Sequence, residues 1–448
     1  MQKASLAKGT RDFGPIEIGQ RNFIFETIKQ VFQCYGFAPI ETPAMENLST
    51  LTGKYGDEGD ALLFRILNSG PINQENFITN EPNVDLKNKI SDKGLRYDLT
   101  VPLARYTSIN RHKIKMPFKR YQMQPVWRAD RPQKGRYREF WQCDADTLGT
   151  NSLICELECL EIIESVFTKL DIPVIVHINH RKLLEGIAQE LGLQHRFVDF
   201  TVAIDKLDKI GLDGVLAELE TKGMTINNEH LFQEIITPKA FRASTIEYLI
   251  DKFISNKLIA EACEELKTIL RYLGNANQDI LLDLGLARGL SYYTGAIFEV
   301  KPRDKNIGSL AAGGRYDNLT EVFGFSDISG IGISFGADRI YDVLLANEKF
   351  PKDLVFYADV LICPLDDTSI DIALSLARII RNETNKKTIV YPSAQKIAKQ
   401  LDYANALKIS FAIIIGNDEI ENNIYTLKNL IDGTQQKLSI IEIKNALK

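Results

Sequence analysis

From Glu17 to Tyr35 the apolar residues recur every three to four positions. Phe23, Ile24, Ile28, Val31, Phe32 and Tyr35 share one helical stripe, and Gly36 supplies a residue at which helices commonly stop. Further on the period shortens to that of a strand. Phe118 to Trp127 and Tyr137 to Asp144 read as two strands joined by the charged, Pro- and Gly-containing loop Ala129 to Gly135, a hairpin with a long basic loop. Asn151 or Ser152 is expected to cap a helix running to about Leu170, and Val174 to Ile178 reads as a buried strand.

Residues 181 to 270 are helix-rich, with mixed charge and no glycine-rich motif, and are expected to form an inserted helical domain. Strand and turn signals return in LLDLGLARGLSYYTGAIFEV (281 to 300), AAGGRYDNL (311 to 319) and GIGISFGADRIYDVLL (330 to 345), the last passing from a small-residue strand into a helix. A sheet that resumes after a helical interruption implies a discontinuous body, 1–180 with 271–350. After Pro351 the pattern becomes an alternation of strand (Asp359 to Cys363, Thr388 to Tyr391, Phe411 to Ile415) and helix (Ser369 to Arg381, Ala394 to Leu407). That predicts a separate α/β domain over 353–448 with a largely parallel sheet. The chain as a whole is expected to be α/β, its larger body of the α+β kind.

Composition narrows the class. A chain of 448 residues calls for two or three domains, and 44% apolar with 25% charged residues is the balance of a globular protein. No apolar run approaches the ~20 residues of a membrane span, and the first dozen residues are polar where a signal peptide needs an apolar region. A cytoplasmic protein with no membrane partner is the expectation. Six scattered cysteines without a CxxC pair fit neither a disulfide framework nor a zinc knuckle, so no structural metal is expected. The net charge is −5, yet Arg111 to Arg138 holds ten Lys or Arg against the single acid Asp130. Charge runs are usually solvated faces; this one is interleaved with Phe118, Tyr121, Trp127, Tyr137 and Phe140, which a solvated face does not need.

The chain lacks GxxxxGK[ST], a strand-linked GxGxxG, HExxH and GxSxG. It offers three arginines in distinctive settings: Arg128 leaving a strand, Arg288 in ARGLSYYTG, and Arg339 at a strand-to-helix junction. Converging on one sheet they would clamp a triphosphate bidentately without a glycine-rich loop. Each alone reads equally well as a surface or packing arginine.

Resemblance settles what spacing leaves open. FKRYQMQPVWRADRPQKGRYREFWQCDADTLG (118 to 149) resembles motif 2 of histidyl-tRNA synthetases, and GIGISFGADRI (330 to 340) resembles class II motif 3. LARGLSYYTG and AAGGRYDNL resemble the two signatures peculiar to that family, and KGTRDFGP (8 to 15) resembles its N-terminus. The resemblance implies an antiparallel sheet flanked by helices, the helical insertion, and a C-terminal mixed α/β anticodon-binding domain. It further implies ATP-dependent activation of L-histidine, with Mg2+ accompanying ATP, and transfer to tRNA(His). A non-catalytic paralogue regulating histidine biosynthesis is the nearest rival, but such proteins typically lack the C-terminal domain and lose motif arginines. A threonyl-, prolyl- or glycyl-type synthetase is the next, and the two histidine signatures argue against it.

Residue by residue, Arg128 matches the arginine on the α-phosphate and substrate carboxylate, Arg339 that on the γ-phosphate, and Arg288 a family-specific arginine near the α-phosphate. Asp130 and Arg136 match further ATP contacts, and Phe140 the ring that stacks on adenine. Asp98, Leu99, Thr100, Gln142, Asp146, Tyr292 and Tyr293, with Arg128 and Arg288, match the histidine pocket. A substrate lacking either ring nitrogen would leave a polar group there unpaired. For tRNA, Arg131, Gln133, Lys134 and Arg138 lie in or beside the hairpin loop, and Lys396, Lys399, Tyr403 and Asn405 near the second C-terminal helix. Two positions depart from the common pattern: Asp98 stands where many bacterial relatives have glutamate, and Ser291 where the signature has aspartate. PIETPAMENLSTL (39 to 51), with Pro43, resembles class II motif 1, which implies a homodimer.

Overall fold

A computed structural model of the chain describes residues 3–53, 56–69, 90–133, 135–226, 229–274, 279–287, 293–303, 307–317, 321–325, 328–351, 354 and 357–448. The chain divides into two compact units, Met1–Asp12 with Arg21–Lys349, and Phe13–Gln20 with Phe350–Lys448.

Among the described residues the main sheet of the first unit has nine strands: β1 (Ala38–Pro39), β2 (Phe118–Trp127), β3 (Glu139–Leu148), β4 (Val174–His180), β5 (Lys239–Ala240), β6 (Ile280–Leu282), β7 (Ala296–Pro302), β8 (Ala311–Tyr316) and β9 (Gly330–Gly336). Their order across the sheet is β1-β2-β3-β9-β8-β7-β4-β6-β5. All pairs are antiparallel except β1 with β2 and β4 with β6. The predicted hairpin is present, its second strand starting two residues later and running four further than the pattern suggested. That extra length lets β3 pair along its course with β9, from Gln142 opposite Gly336 to Leu148 opposite Gly330.

One face of this sheet carries helices. Within the helix Pro15–Cys34, Ile24, Ile28, Val31 and Phe32 are buried, as the stripe predicts. Phe32 lies 5.9 Å from Phe335 of β9, and Phe167 from the helix Ile154–Lys169 approaches the same ring at 5.7 Å. Side chains alternate across a strand, so a Phe335 packed among helices turns Ser334 to the other face. Burying each such ring or aliphatic side chain contributes roughly 1.5–3 kcal/mol.

Two buried arginines brace the sheet. Arg96 donates through Nε to the Pro125 carbonyl at 2.8 Å and through Nη1 to the Thr42 carbonyl at 2.6 Å, tying β2 to the segment after β1; burial lowers its pKa to about 10. Arg315 of β8 meets Glu156 through Nε at 2.5 Å and Nη2 at 2.7 Å, and donates through Nη1 to Ser329 Oγ at 2.6 Å. This fork locks the helix Ile154–Lys169 to β8 and the approach to β9.

Between β4 and β6 the chain forms the helices Arg181–Glu190, Phe197–Ile204, Leu207–Thr221, Glu229–Ile236, Ala243–Lys252 and Lys257–Leu273, and adds β5 to the sheet edge. The first and last pack together, burying Leu183, Leu184, Ile187, Ile259, Cys263 and Leu266.

In the second unit β10 (Val360–Pro364), β11 (Thr388–Val390) and β12 (Phe411–Ile415) are parallel, in the order β11-β10-β12. Two further strands, β13 (Tyr425–Asn429) and β14 (Gln435–Leu438), extend the sheet antiparallel beyond β12. The sequence pattern missed that hairpin, although its turn contains Asp432-Gly433 with Gly433 at φ +79°. Val360, Ile362, Leu376, Ile380, Ile413 and Ile415 share this unit's core. No described helix is long and apolar enough to cross a membrane.

Replacing one member of a buried ion pair leaves the other charge uncompensated, at a typical cost of about 3–5 kcal/mol. Glu156→Gln is therefore expected to lower the thermal unfolding midpoint of the first unit markedly. A change equivalent to less than about 1 kcal/mol would show that Arg315 finds another partner.

Candidate functional site

On the face of the sheet away from Phe335, a cavity of about 200 Å³ opens over β3, β8 and β9. Ten of the residues singled out from the sequence line it: Asp98, Thr100, Arg128, Asp130, Arg136, Phe140, Gln142, Asp146, Tyr293 and Arg339. Leu99 is instead fully buried and contributes its carbonyl to Arg120 Nη2, at 3.4 Å. Lys134, Arg288, Ser291 and Tyr292 lie outside the described residues.

One end of the cavity is basic. Arg128 follows the last residue of β2, and its Nε donates to the Tyr97 carbonyl at 3.1 Å. Its guanidinium lies over the Tyr97 ring at 4.3 Å and the Phe140 ring at 5.2 Å, an aromatic seat that restricts the arginine's rotamers. Arg136 approaches Asp130 at 3.7 Å. Arg339, near the start of the helix Ala337–Ala346, donates to the carbonyls of Gly135 at 3.0 Å and Ser309 at 2.7 Å. Beside it Asp338 gathers Arg11, Arg21 at 2.5 Å and the Trp141 amide at 2.8 Å, fixing the register of that helix on β3. Arg11 in turn covers the Tyr137 ring at 3.4 Å.

The other end is acidic. Gln142, Asp144 and Asp146 alternate along β3 and face the cavity, with Asp98 opposite them. Asp146 Oδ1 accepts from the Tyr316 hydroxyl at 2.5 Å, and its Oδ2 pairs with Arg120 at 2.7 Å. Burial raises the pKa of Asp146, with Arg120 opposing. Asp98 Oδ1 accepts from the Val101 amide at 3.1 Å, satisfying one of the free amides in the first turn of the helix Thr100–Asn110. Gly332 is required here: a Cβ at that position would stand 2.0 Å from Asp146 Oδ1. From Phe140 to Asp146 the strand spans roughly 20 Å. The site is thus an elongated slot with separated charge.

Sequence reasoning missed Tyr97, Asp144, Ser334 and Tyr316. The signal for Asp144 was present, since Gln142, Asp144 and Asp146 sit at i, i+2 and i+4 of a strand. Ser334 follows once β9 is registered against β3, for it pairs with Asp144.

The residues proposed for nucleic acid are differently placed. Arg131 and Gln133 are exposed, and Gln133 exchanges backbone bonds with Arg136 around Gly135 at φ +73°. Arg138 turns back onto the hairpin: its Nε donates to the Asp130 carbonyl at 3.1 Å, and its Nη1 to that of Lys8 at 3.5 Å. On the second unit Lys396, Lys399, Tyr403 and Asn405 are exposed along or at the start of the helix Ile397–Ala406, with Tyr403 set edge-on to Tyr391 at 5.4 Å.

Comparison with known proteins agrees with this layout. The family model for histidyl-tRNA synthetase matches residues 84–340, and that for an anticodon binding domain residues 359–448. The histidine–tRNA ligase of Phocaeicola vulgatus is 48% identical over 100% of this chain and 99% of its own length. That of Cytophaga hutchinsonii is 49% identical over the full length of both chains. Among solved structures, the histidyl-tRNA synthetase of Nostoc sp. PCC 7120 superposes over 100% of both chains with a TM-score of 0.82 at 28% identity.

Proposed function

Because this chain belongs to the histidyl-tRNA synthetase family, whose members join histidine to tRNA at the expense of ATP, we propose a division of that work among its residues. The chain is an ATP-dependent ligase of class II. The observation that carries the proposal is the two-ended slot, basic around Arg128 and Arg339 and acidic around Asp98 and Asp146. A triphosphate suits the first end and the ammonium of an amino acid the second.

In this reading ATP lies with its adenine on Phe140 and its phosphates among Arg128, Arg136 and Arg339, and magnesium arrives as their counter-ion. Histidine places its carboxylate toward Arg128, its ammonium toward Asp98 and Gln142, and its ring between Asp146 and the tyrosines at 292 and 293. The carboxylate attacks the α-phosphorus and pyrophosphate leaves. The terminal ribose hydroxyl of tRNA then attacks the mixed anhydride and releases AMP. Among the described lining residues none is a histidine or a cysteine. Positioning and charge stabilisation supply the rate.

We assign 1–180 and 271–350 to the catalytic body, 181–270 to a helical insertion, and 353–448 to the anticodon-binding domain. The hairpin tip with Arg131, Gln133 and Lys134 would meet the acceptor end of tRNA(His). Lys396, Lys399, Tyr403 and Asn405 would meet the anticodon. Arg138 would join the tip residues from the base of the hairpin, held there by its bonds to the carbonyls of Asp130 and Lys8. The segment 39–51 would form a homodimer interface and support β2 from behind.

Three outcomes follow from these roles. Arg288→Ala is expected to lower histidine-dependent pyrophosphate exchange by ~10² to 10³ with little change in histidine affinity, as for loss of one preorganised donor; near-normal exchange would remove Arg288 from the chemistry. Lys399→Glu should raise the KM for tRNA and leave pyrophosphate exchange unchanged, and an unchanged KM would move the anticodon contact elsewhere. Sedimentation at assay concentrations is expected to give a dimer, whereas a fully active monomer would reject the interface role of 39–51.

A further inference from the structure

Asp144 is left unused by these roles. It lines the cavity, is 2% exposed, and stands between Gln142 and Asp146 on one face of β3. Asp146 has both oxygens engaged, by Tyr316 and Arg120. Asp144 does not. The Ser334 hydroxyl bonds its carboxylate, and Ser334 Oγ receives Gln142 Nε2 at 2.7 Å, yet Asp144 Oδ1 is buried with no hydrogen-bond partner among the described residues. Gln142 Oε1, two residues away on the same face, is in the same condition. Buried polar atoms in native proteins are nearly always satisfied, so two neighbouring orphaned acceptors in a ligand cavity point to a ligand that brings several donors.

We propose that Asp144 is a substrate-binding residue whose Oδ1 accepts a hydrogen bond from the α-ammonium of histidine, while Gln142 Oε1 accepts a second. This rests on the functional reading above and adds a contact to it. An ammonium carries three donors and, at neutral pH, a positive charge, which a neutral imidazole lacks. Position agrees with charge. The ammonium shares its carbon with the carboxylate directed at Arg128, so it must lie beside it along β3. The ring reaches further, toward Asp146, whose charge Arg120 already balances.

The groups facing Asp144 are Arg120 from β2, Asp146 on its own strand, and Asp98, with the phenols of Tyr293 and Tyr316 lining the same cavity. Burial pushes the Asp144 carboxyl up to about 7, Arg120 opposing and the two aspartates adding to it. Below that pH Asp144 holds a proton that an arriving ammonium must expel. Histidine affinity should therefore weaken by about tenfold per pH unit as pH falls below about 7 on this account alone, and binding near neutrality should release a proton.

The test is calorimetric titration of the full-length protein with histidine and with imidazole propionate, which is histidine without its amino group. Asp144→Asn is expected to weaken histidine binding about 10- to 100-fold and imidazole propionate less than twofold. Equal weakening of both ligands, or of neither, overturns the assignment. Titration with histidine at pH 7 in buffers of different ionisation enthalpy should show more proton release from the wild-type protein than from Asp144→Asn, the ring of the ligand contributing equally to both. Equal release from the two proteins overturns the assignment. Absence of histidine-dependent pyrophosphate exchange in the wild type would instead refute the functional reading itself.

Discussion

Arg120 has no solvent exposure, and the Asp146 carboxylate stands against it at 2.7 Å. Taking two such ions out of water costs several kcal/mol each, which their attraction offsets only when geometry is tight and the remaining polar atoms are bonded. Here Gln122 and the Leu99 carbonyl share Arg120, whose Nε alone has no hydrogen-bond partner among the described residues, and Tyr316 takes the other oxygen of Asp146. The pair thereby ties together β2, β3, β8 and the segment ahead of the helix Thr100–Asn110. It also explains the bare backbone of β9 at Gly332, where any side chain would displace the carboxylate. The acidic end of the slot is held by this one contact and its supports.

The basic end obeys a different constraint. Arg128 rests on the Tyr97 carbonyl and on two aromatic rings, which orient a guanidinium without neutralising it. Arg339 is held by the carbonyls of Gly135 and Ser309. Asp338 does the opposite for Arg11 and Arg21, absorbing two guanidiniums that serve as structural ties. Which arginines hold the fold together is thus decided by their partners, not by their number.

Much of this was legible in the residues. The helical stripe around Phe32, the hairpin, the strand-to-helix passage into Arg339 and the alternation after Pro351 are local patterns, and local physics sets them. The gathering of Asp98, Arg128, Gln142, Asp146 and Arg339 needed the family resemblance, because nothing in periodicity says which distant strands will pair. Asp144 lay in plain view, but its protonation depends on burial and on Asp98 and Asp146, which only three-dimensional packing reveals. The bonds of Arg138 to the carbonyls of Asp130 and Lys8 were similarly out of reach, because Lys8 is far from it in sequence.

The pairing of β3 with β9 has a further consequence in time. Roughly 180 residues of chain separate the two strands, and at ~5–20 residues per second a ribosome needs about 10 to 40 seconds to deliver the second after the first. Throughout that interval the β3 edge is open, and Asp144 and Asp146 face water instead of Ser334 and Gly332. The nascent hairpin must therefore survive as a solvated, incomplete sheet, its exposed strand available to any other chain that emerges nearby. Asp144 and Asp146 serve in that interval as a deterrent to wrong pairing, because a strand edge carrying ionised carboxylates repels its own kind.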